Sequence, residues 1–231
     1  MTTKLIVLLI TLLLTAAAAS ATPIMELVPD STTIFRDSLF AVDLQVDATS
    51  TNLKAYSVEV VFNRAVVRTD SISVTEGGLL ASMSQPTFFW TAFAPDSATL
   101  YIDGAILGDG ITVSGGGELA QIVFYTIGFG ESDLQVQSIR ARDGLNQPLS
   151  YLAGNAWVKV CQFVGDVNAD NRINISDCVY LINWIFANGP TPIPDPLVGD
   201  VECNGYTNIS DVVYLISYIF SGGPAPCDDC Y

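Results

Sequence analysis

The sequence predicts a multidomain protein in which an all-β sandwich is followed by a small all-α region. Residues 24–160 consist of short runs in which apolar and polar residues alternate, a period-two pattern typical of strands that bury one face. After residue 161 the apolar residues recur at helical spacing instead. With 231 residues, the chain is long enough for one sizeable core and a second, smaller one.

The alternating runs define the candidate strands of the sandwich. These strands are residues 40–46, 56–62, 66–74, 88–93, 100–107, 119–127, 134–140 and 156–160. Turn-forming residues separate them, for example Gly77-Gly78 and the glycines of residues 115–117. Because each strand buries one face, two sheets are expected to pack together.

The N-terminal residues 1–21 predict a secretory signal peptide. Lys4 precedes an apolar run over residues 5–14, and small residues lead to a cleavage site after Ala21. An uncleaved membrane anchor is the alternative, although the run is short for a membrane span. We therefore expect a secreted, extracellular protein with a sandwich at residues 22–160, a helical region at residues 161–231 and no membrane span in the mature chain.

The composition argues against several functions. A net charge of −15 disfavours nucleic acid and anionic membranes as partners, because both bind through clustered cations. The chain has no histidine, which removes the usual general base and the nitrogen ligands of most zinc sites. Catalysis by paired carboxylates stays open, but the acidic residues are scattered over strands and turns. We predict that the protein is not an enzyme.

Two copies of one motif, residues 165–190 and 199–224, predict two calcium ions. Oxygen-bearing side chains fall at loop positions one, three, five, nine and twelve, and position seven contributes its carbonyl. The predicted ligands of the first loop are Asp166, Asn168, Asp170, Arg172, Asn174 and Asp177. Those of the second loop are Asp200, Glu202, Asn204, Tyr206, Asn208 and Asp211. Asn171 and Gly205 hold position six, which needs a left-handed backbone. A surface turn that binds no metal is the alternative.

An apolar helical pattern directly follows each loop. Its residues are Val179, Ile182, Ile185 and Phe186, and then Val213, Ile216, Ile219 and Phe220. Ser176 and Ser210 are placed to cap the first turn of each helix. We expect each helix to end at a Gly-Pro pair, Gly189-Pro190 or Gly223-Pro224, where Gly takes the left-handed cap.

This duplicated loop-helix unit, with Asp at position twelve and no helix before the loop, resembles a dockerin module of type I over residues 165–226. The family binds one calcium ion in each half and docks onto a cohesin domain. The resemblance therefore implies a cohesin-type partner, on another protein or on another copy of this chain. Glu202, Asn204 and Thr207 depart from the usual pattern of the loop.

Dockerins recognise their partner with loop positions ten and eleven and with the outer face of each helix. The resemblance implies a partner-binding surface made of Ile175, Ser176, Asn183, Trp184, Ile209, Ser210, Ser217 and Tyr218. The hydroxyl pair of many dockerins at positions ten and eleven is replaced here by Ile-Ser. For Trp184 and Tyr218, packing within the module is the alternative.

The N-terminal region resembles a cohesin-type domain, a nine-stranded jelly roll related to carbohydrate-binding modules. The similarity rests on residues 42–46, 56–63, 77–80, 115–124 and 156–160. It implies that the sandwich receives a dockerin on one sheet face. In the alternative, exposed aromatic residues bind a polysaccharide. The candidates are Phe88, Phe89, Trp90 and Phe93, of which half or more should face the core because neighbouring residues of a strand point to opposite faces.

Two of the five cysteines are predicted to form a disulfide by comparison of the two copies. Cys203 and Cys227 occur only in the second copy, opposite Ala169 and Thr191 in the first. Gaining both together is expected if they touch, so we predict a bond between them.

The other three cysteines are expected to give a second bridge and a free thiol. Cys161 and Cys230 flank the repeats, so a bond between them would clasp the ends of the region. Cys178 would then be free and buried on its helix.

The sequence therefore predicts a secreted, non-catalytic, calcium-dependent protein-protein assembly module with a cohesin-like receptor and a dockerin plug. Such a protein would act in an extracellular polysaccharide-degrading or surface-attachment complex. The alternative is a carbohydrate-binding protein whose sandwich binds polysaccharide and whose dockerin attaches it to a scaffold.

Overall fold

Two β-sheets packed face to face form the N-terminal part of the molecule. The structure is a computed structural model that describes residues 21–94 and 98–227. The predicted signal peptide therefore lies outside the described residues, apart from its last residue. Within the described ranges, no helix is long and apolar enough to cross a membrane.

Thirteen strands and one short helix make up the described part of the sandwich. The strands are β1 (Ile24–Val28), β2 (Ser31–Phe35), β3 (Leu39–Val46), β4 (Ala55–Phe62), β5 (Val67–Arg68), β6 (Val74–Glu76), β7 (Thr87–Phe93), β8 (Thr99–Ile106), β9 (Gly117–Thr126), β10 (Gly130–Arg142), β11 (Pro148–Leu149), β12 (Leu152–Gly154) and β13 (Ala156–Cys161). The helix α1 is Gly78–Ala81.

The strands form one sheet of six and one of seven. The first sheet has the order β12-β1-β3-β9-β5, with β6 also paired to β9. The second has the order β2-β13-β10-β4-β8-β7, with β11 paired to β10. In the second sheet β2 and β7 therefore lie at opposite edges.

The sequence predicts most of the long strands but misplaces one. The expected strand over residues 66–74 is wrong, because β5 and β6 are separated by a turn. In that turn the Asp70 carboxylate accepts hydrogen bonds from the backbone N–H groups of Ile72 and Ser73, at 3.0 and 2.8 Å. A side chain that binds its own backbone in this way competes with strand pairing. The short strands β1, β2, β11 and β12 were not predicted, and the Gly77-Gly78 turn leads directly into α1.

The core of the sandwich consists of the inward-facing residues of both sheets. Alternate residues of β4 and β8 are buried, as the period-two pattern predicts. Phe124 is fully buried, with its ring centroid 5.4 Å from those of Phe40 and Phe62. The predicted two-layer sandwich is confirmed.

Gly104 lies directly opposite Tyr56 in the pairing of β8 with β4. A methyl group at Gly104 would overlap the Tyr56 ring, whose hydroxyl donates to the Leu119 carbonyl at 2.9 Å. We expect Gly104→Ala to lower the free energy of unfolding of the sandwich by about 1–3 kcal/mol, because the buried ring must shift. Denaturant unfolding measures the change, and Gly78→Ala is the matched control because nothing lies within 4 Å of its added carbon. Equal stability of the two variants would contradict the prediction.

Two helices and a short 3₁₀ helix form the C-terminal region. They are α2 (Ile175–Ala187), the 3₁₀ helix Pro196–Gly199 and α3 (Ile209–Ser221). A second apolar cluster, separate from that of the sandwich, lies between the helices. Its buried members are Val164, Val167, Cys178, Leu181, Val198, Val201, Val212 and Leu215.

The predicted caps of both helices are wrong by a small shift. The N-caps are Asn174 and Asn208, whose side chains accept hydrogen bonds from the N–H groups of Ser176 and Ser210. Ser176 and Ser210 were predicted to cap the helices with their hydroxyl groups. Instead, their backbone N–H groups donate to the side chains of the Asn caps.

The C-terminal ends of the helices shift in the same way. The left-handed residues are Asn188 at φ 54° and Gly222 at φ 66°, one residue before the predicted Gly189 and Gly223. Asn tolerates this conformation almost as well as Gly does.

Candidate calcium loops and docking surfaces

The first predicted calcium loop is wound around two buried carboxylates. Asp166 accepts hydrogen bonds from the backbone N–H groups of Asp170 at 3.1 Å and Asn171 at 2.8 Å. Asp177 accepts from the N–H groups of Val167 at 3.0 Å and Asn174 at 2.8 Å. Position one therefore ties the start of the loop to its middle, and position twelve ties the end of the loop to its start and to the helix cap.

The second loop repeats these four hydrogen bonds. Asp200 accepts from the N–H groups of Asn204 at 3.0 Å and Gly205 at 2.6 Å. Asp211 accepts from the N–H groups of Val201 at 3.0 Å and Asn208 at 2.8 Å. The duplication seen in the sequence is thus a duplication of geometry.

Each loop turns sharply at two positions. Position six is left-handed in both loops, with φ of 65° at Asn171 and 90° at Gly205. Position four is left-handed as well, with φ of 58° at Ala169 and 52° at Cys203. The second bend was not anticipated, because Ala and Cys carry no sequence signal for this conformation.

The four end carboxylates of the loops are fully buried. Asp166, Asp177, Asp200 and Asp211 have no exposed surface, and none forms an ion pair within the described part of the chain. Burial raises the pKa of the Asp177 carboxyl to about 6 and that of the Asp166 and Asp211 carboxyls above their ordinary value. Burying negative charge without a cation costs free energy, so these positions favour a bound cation.

The remaining predicted ligands lie along the exposed side of each loop. Asn168 and Asp170 interact with each other through the Asn168 amide, 3.2 Å from the Asp170 carboxylate, and the Asn204 amide donates to Glu202 at 2.6 Å. At position five, Asp170 accepts from the N–H of Arg172.

The other loop residues are used by the backbone and the caps. The Asn204 side chain accepts a hydrogen bond from the backbone N–H of Tyr206, as Asp170 does from that of Arg172. In both loops the backbone N–H of position seven is therefore bound by the side chain at position five. Asn174 and Asn208, at position nine, are engaged as helix caps.

The donor set fits a hard cation such as calcium. Carboxylate, amide and backbone oxygens are the ligands that calcium takes in proteins, and they are what the predicted ligand positions of both loops provide. Across the described residues, however, no three His, Cys, Asp or Glu side chains are gathered closely enough to hold a metal by themselves. The loops therefore place the oxygens in the right order along the chain without gathering the carboxylates at one point.

A disulfide joins Cys203 to Cys227. It links position four of the second loop to the segment after α3, the pairing predicted from the two copies. The counterpart assigned to Cys227 needs correction. The N–H of Cys227 donates to the Val201 carbonyl at 3.1 Å, and in the first copy the N–H of Ile193 donates to the equivalent Val167 carbonyl at the same distance. The residue of the first copy that is equivalent to Cys227 is therefore Ile193 and not Thr191.

The remaining cysteines are partly described. Cys178 is free and buried, as predicted. Cys161 is disulfide-bonded. Its predicted partner, Cys230, lies outside the described residues.

Removing the Cys203–Cys227 bond should destabilise the C-terminal region. The bond closes a segment with a sequence separation of 24 residues. Such a loop constrains the unfolded chain by about 3 kcal/mol, so we expect Cys203→Ser combined with Cys227→Ser to lower the free energy of unfolding by about 2–4 kcal/mol. Thermal unfolding of both proteins under oxidising conditions measures the loss. An unchanged midpoint would show that the bond contributes nothing.

Each helix exposes an apolar stripe. The first stripe is Ile175, Val179, Ile182 and Phe186, and the second is Ile209, Val213, Ile216 and Phe220. Phe186 and Phe220 are 68% and 65% exposed. Asp177 and Asp211 are the only Asp, Glu, Lys or Arg residues of α2 and α3, and both are buried. The exposed surface of both helices therefore has no formal charge.

The predicted partner-binding residues divide into two groups. Ile175, Ser176, Asn183, Ile209 and Ser210 are exposed, on or beside the apolar stripes. The other three are half-buried: Trp184, Ser217 and Tyr218.

The half-buried aromatic residues face the interior of the molecule. Trp184 packs against the second apolar cluster, and Tyr218 lines a cleft beside the sandwich. The predicted partner-binding set omits six exposed apolar residues of the stripes, because the period of a helix does not say which face is buried. They are Val179, Ile182, Phe186, Val213, Ile216 and Phe220.

The four candidate aromatics of β7 point alternately outward and inward. Phe88 and Trp90 are 49% and 48% exposed, whereas Phe89 and Phe93 pack against the core. Half of the set is thus core, as the strand period predicts.

The helical region contacts the sandwich beside β2. The rings of Phe35 and Phe163 are stacked with centroids 3.8 Å apart, and the Asn171 side chain donates to the Asp37 carboxylate at 2.6 Å. Cys161, the last residue of β13, accepts a hydrogen bond from the N–H of Arg36 at 3.2 Å, so the chain leaves the sandwich at this same edge. A cleft of about 480 Å³ lies here, lined mainly by apolar side chains. The first loop is therefore held against the edge of the seven-stranded sheet.

The fold of the sandwich is that of cohesin modules. It is similar to a non-cellulosomal cohesin from the archaeon Archaeoglobus fulgidus, at a TM-score of 0.50 and 15% identity over 62% of this chain and 93% of that chain. A type II cohesin domain from the cellulosome of Acetivibrio cellulolyticus is similar at a TM-score of 0.52 and 14% identity, over 59% of this chain and 95% of that chain. A chain of a type II cohesin-X-dockerin complex from the same organism is similar at a TM-score of 0.51 and 12% identity, over 58% of this chain and 98% of that chain.

These features define the class of the protein as one that combines a cohesin-like fold with a dockerin-like C-terminal region. The model of the dockerin type I domain matches residues 164–220. This part of the chain is a dockerin type I domain, and it is preceded by a cohesin-like sandwich. No protein among those with curated descriptions matches the sequence.

Proposed function

We propose that this protein is a secreted, calcium-dependent adaptor whose dockerin domain docks onto a cohesin-type domain. The observation that carries the proposal is the pair of uncharged apolar stripes, each rising directly from one of two equivalent loops. Exposed apolar surface of this extent is characteristic of protein interfaces. Each of the two loop-helix units carries one loop and one apolar stripe, as expected for a docking module that arose by duplication.

In this proposal the loops fix the start of each docking helix. Calcium, when bound, supplies the positive charge that offsets the buried carboxylates. Asp177 and Asp211 belong to both the loop and the helix, because each also accepts the N–H of the helix cap residue. A loop that closes on these side chains therefore sets the direction of its stripe, so binding, folding and docking are coupled.

The test measures binding of the full chain to a panel of immobilised cohesin-type domains, with calcium and with EDTA. We expect at least one domain to bind in calcium only. Val179→Asp combined with Val213→Asp should weaken that binding by about 100-fold or more, because a charge in each apolar stripe must be desolvated. Ile72→Asp is the matched control, since Ile72 is 88% exposed on the sandwich. Equal binding by the double variant would exclude the stripes as the docking surface.

A polysaccharide ligand of the sandwich is the second candidate function. The observation in its favour is the exposed pair Phe88 and Trp90, which point the same way from β7. Aromatic faces of this kind stack on sugar rings. Cosedimentation with insoluble glycans should then depend on Trp90 and be lost in Trp90→Ala. Polysaccharide breakdown is the setting we propose for either function.

A further inference from the structure

We propose that the sandwich positions the first calcium loop, so that calcium binding in this loop and the hold of the dockerin domain on the sandwich depend on each other. Calcium binding in the second loop is independent of the sandwich. The inference rests on the calcium binding of the proposed function and adds that its two sites are unequal. It is carried by three contacts that the first loop makes outside its own repeat. None of them has a counterpart at the second loop within residues 21–94 and 98–227.

The side chain at loop position six contacts the sandwich in the first copy. The side-chain amide of Asn171 donates to the Asp37 carboxylate at 2.6 Å. Position six is not among the predicted ligands, so this side chain is available for a contact outside the loop. The second loop has Gly205 at this position and therefore no side chain with which to make the contact.

The acceptor of this hydrogen bond is held in place by the sandwich. The other carboxylate oxygen of Asp37 accepts from the hydroxyl of Tyr125 on β9 at 3.0 Å. The Arg36 guanidinium lies 3.6 Å from the same carboxylate. The backbone N–H of Asp37 donates to the Thr126 carbonyl at 3.1 Å. An acceptor that is already fixed loses little freedom when it meets Asn171, so the hydrogen bond positions the loop.

A buried amide ties the same loop to the end of the last strand. Gln162, the residue after β13, is 1% exposed. Its side-chain amide donates to the carboxylate and to the backbone carbonyl of Asp166, at loop position one. Four residues before Asp200, the second copy has Pro196, whose side chain has no donor. The placement of a predicted calcium ligand in the first loop therefore depends on where β13 ends.

Loop position eight differs between the copies in the same sense. Ile173 lines the apolar cleft of about 480 Å³ together with Phe35 of β2 and Phe163. In the second loop the Thr207 hydroxyl donates to the Pro196 carbonyl at 2.7 Å, within the dockerin domain. The first loop thus directs an apolar side chain to the cleft beside the sandwich, whereas the second loop satisfies a polar one inside its own domain.

These contacts couple the first loop to the sandwich in both directions. When two binding events depend on the same arrangement of the chain, each strengthens the other by the same factor. The sandwich should therefore raise the calcium affinity of the first loop, and calcium in that loop should strengthen the contact with Asp37. In the proposed adaptor this coupling fixes the direction of the docking stripes relative to the sandwich.

The first measurement is calorimetric titration of calcium into the full chain. Asn171→Gly gives the first loop the residue of the second, and Gly accepts the left-handed φ of 65°. We expect one of two ions to bind about 5-fold more weakly, because a hydrogen bond that holds the loop is lost. Asp37→Gly, on the sandwich, should weaken the same ion, and the two changes together should add no further loss. Asn146→Gly is the matched control, because it makes the same change at φ 62° in the turn between β10 and β11.

Hydrogen exchange of the sandwich measures the coupling in the other direction. The N–H of Asp37 donates to the Thr126 carbonyl, and its exchange reports how firmly this segment is held. Calcium should slow exchange of this segment in the parent and in Asp211→Asn, which keeps the first loop intact. It should not do so in Asp177→Asn or in Asn171→Gly. A purely structural role of the contact within the dockerin domain would leave exchange in the sandwich unchanged.

The outcomes separate this proposal from the proposed function. Two ions that bind to Asn171→Gly and Asp37→Gly as they bind to the parent would overturn the coupling. Exchange in the sandwich that does not respond to calcium would overturn it as well. In either case a parent chain that binds two ions and a cohesin-type domain would still have the proposed function. A parent chain that binds no calcium would overturn both.

Discussion

Chelation of calcium is expected to unfold the dockerin domain and to leave the sandwich folded. Four fully buried carboxylates, two in each loop, have no cationic side chain as partner among the described residues. The second apolar cluster is small, so the helices depend on closed loops for their packing. EDTA should therefore remove most of the helical circular dichroism and the thermal transition of this domain, while the sandwich transition stays. Excess calcium should restore both signals.

The pH of this measurement matters. Burial raises the pKa of the Asp177 carboxyl to about 6. At a pH between the ordinary pKa of Asp and about 6, the ion-free folded domain therefore binds more protons than the unfolded chain does. The stability of the ion-free domain consequently falls as the pH rises through about 6. Chelation should have a larger effect at neutral pH than at pH near 4. Circular dichroism that does not respond to EDTA at neutral pH would contradict the prediction.

Asp177→Asn should remove one of two calcium ions and strongly destabilise the dockerin domain. The Asp177 carboxylate accepts hydrogen bonds from the backbone of Val167, Asn168 and Asn174, at 3.0, 3.4 and 2.8 Å. An amide in its place presents an N–H₂ group to buried donors and carries no charge. We expect a loss of about 2–5 kcal/mol in the free energy of unfolding. Calorimetric titration of calcium counts the ions, and thermal unfolding measures the loss.

Two variants serve as comparisons for this prediction. Asp211→Asn makes the equivalent change in the second loop and should also leave one ion. Asp195→Asn is the matched control, because the exposed Asp195 carboxylate caps the 3₁₀ helix through one N–H at 2.8 Å. Asn caps a helix about as well as Asp does, so this variant should change the free energy of unfolding by only about 0.5 kcal/mol or less and should retain both ions. Two ions bound by Asp177→Asn would exclude this carboxylate as a ligand.

The sequence predicts the elements of the dockerin domain closely because they are local. Each loop consists of twelve consecutive residues, and the helix that follows it has 13 residues. The spacing of residues along the chain is therefore enough to predict both. The errors are shifts at the helix ends. Asn174 and Asn188 act as caps where the sequence indicated Ser176 and Gly189, because several residue types compete for each cap and the backbone decides between them.

The direction of the apolar stripes could not be predicted. In α2, Leu181 is fully buried and Ile182 is exposed, although both are apolar and adjacent. A helix without exposed charge gives no polar face from which the buried side can be read. The burial of Leu181 and Leu215 follows from the packing of the two helices against each other, which involves residues from both copies.

The residue pattern alone predicts the order of the parts: a sandwich, then two loop-helix units with oxygen-bearing side chains at fixed spacing and a cysteine pair in the second unit. These features depend on residues close together in the chain, or on the comparison of two copies. Packing in three dimensions sets which helix face is exposed, and it brings Asn171 into contact with Asp37. The last two residues are separated by 134 positions. Contacts over such distances depend on how sheets and helices pack, and no local pattern of residues encodes them.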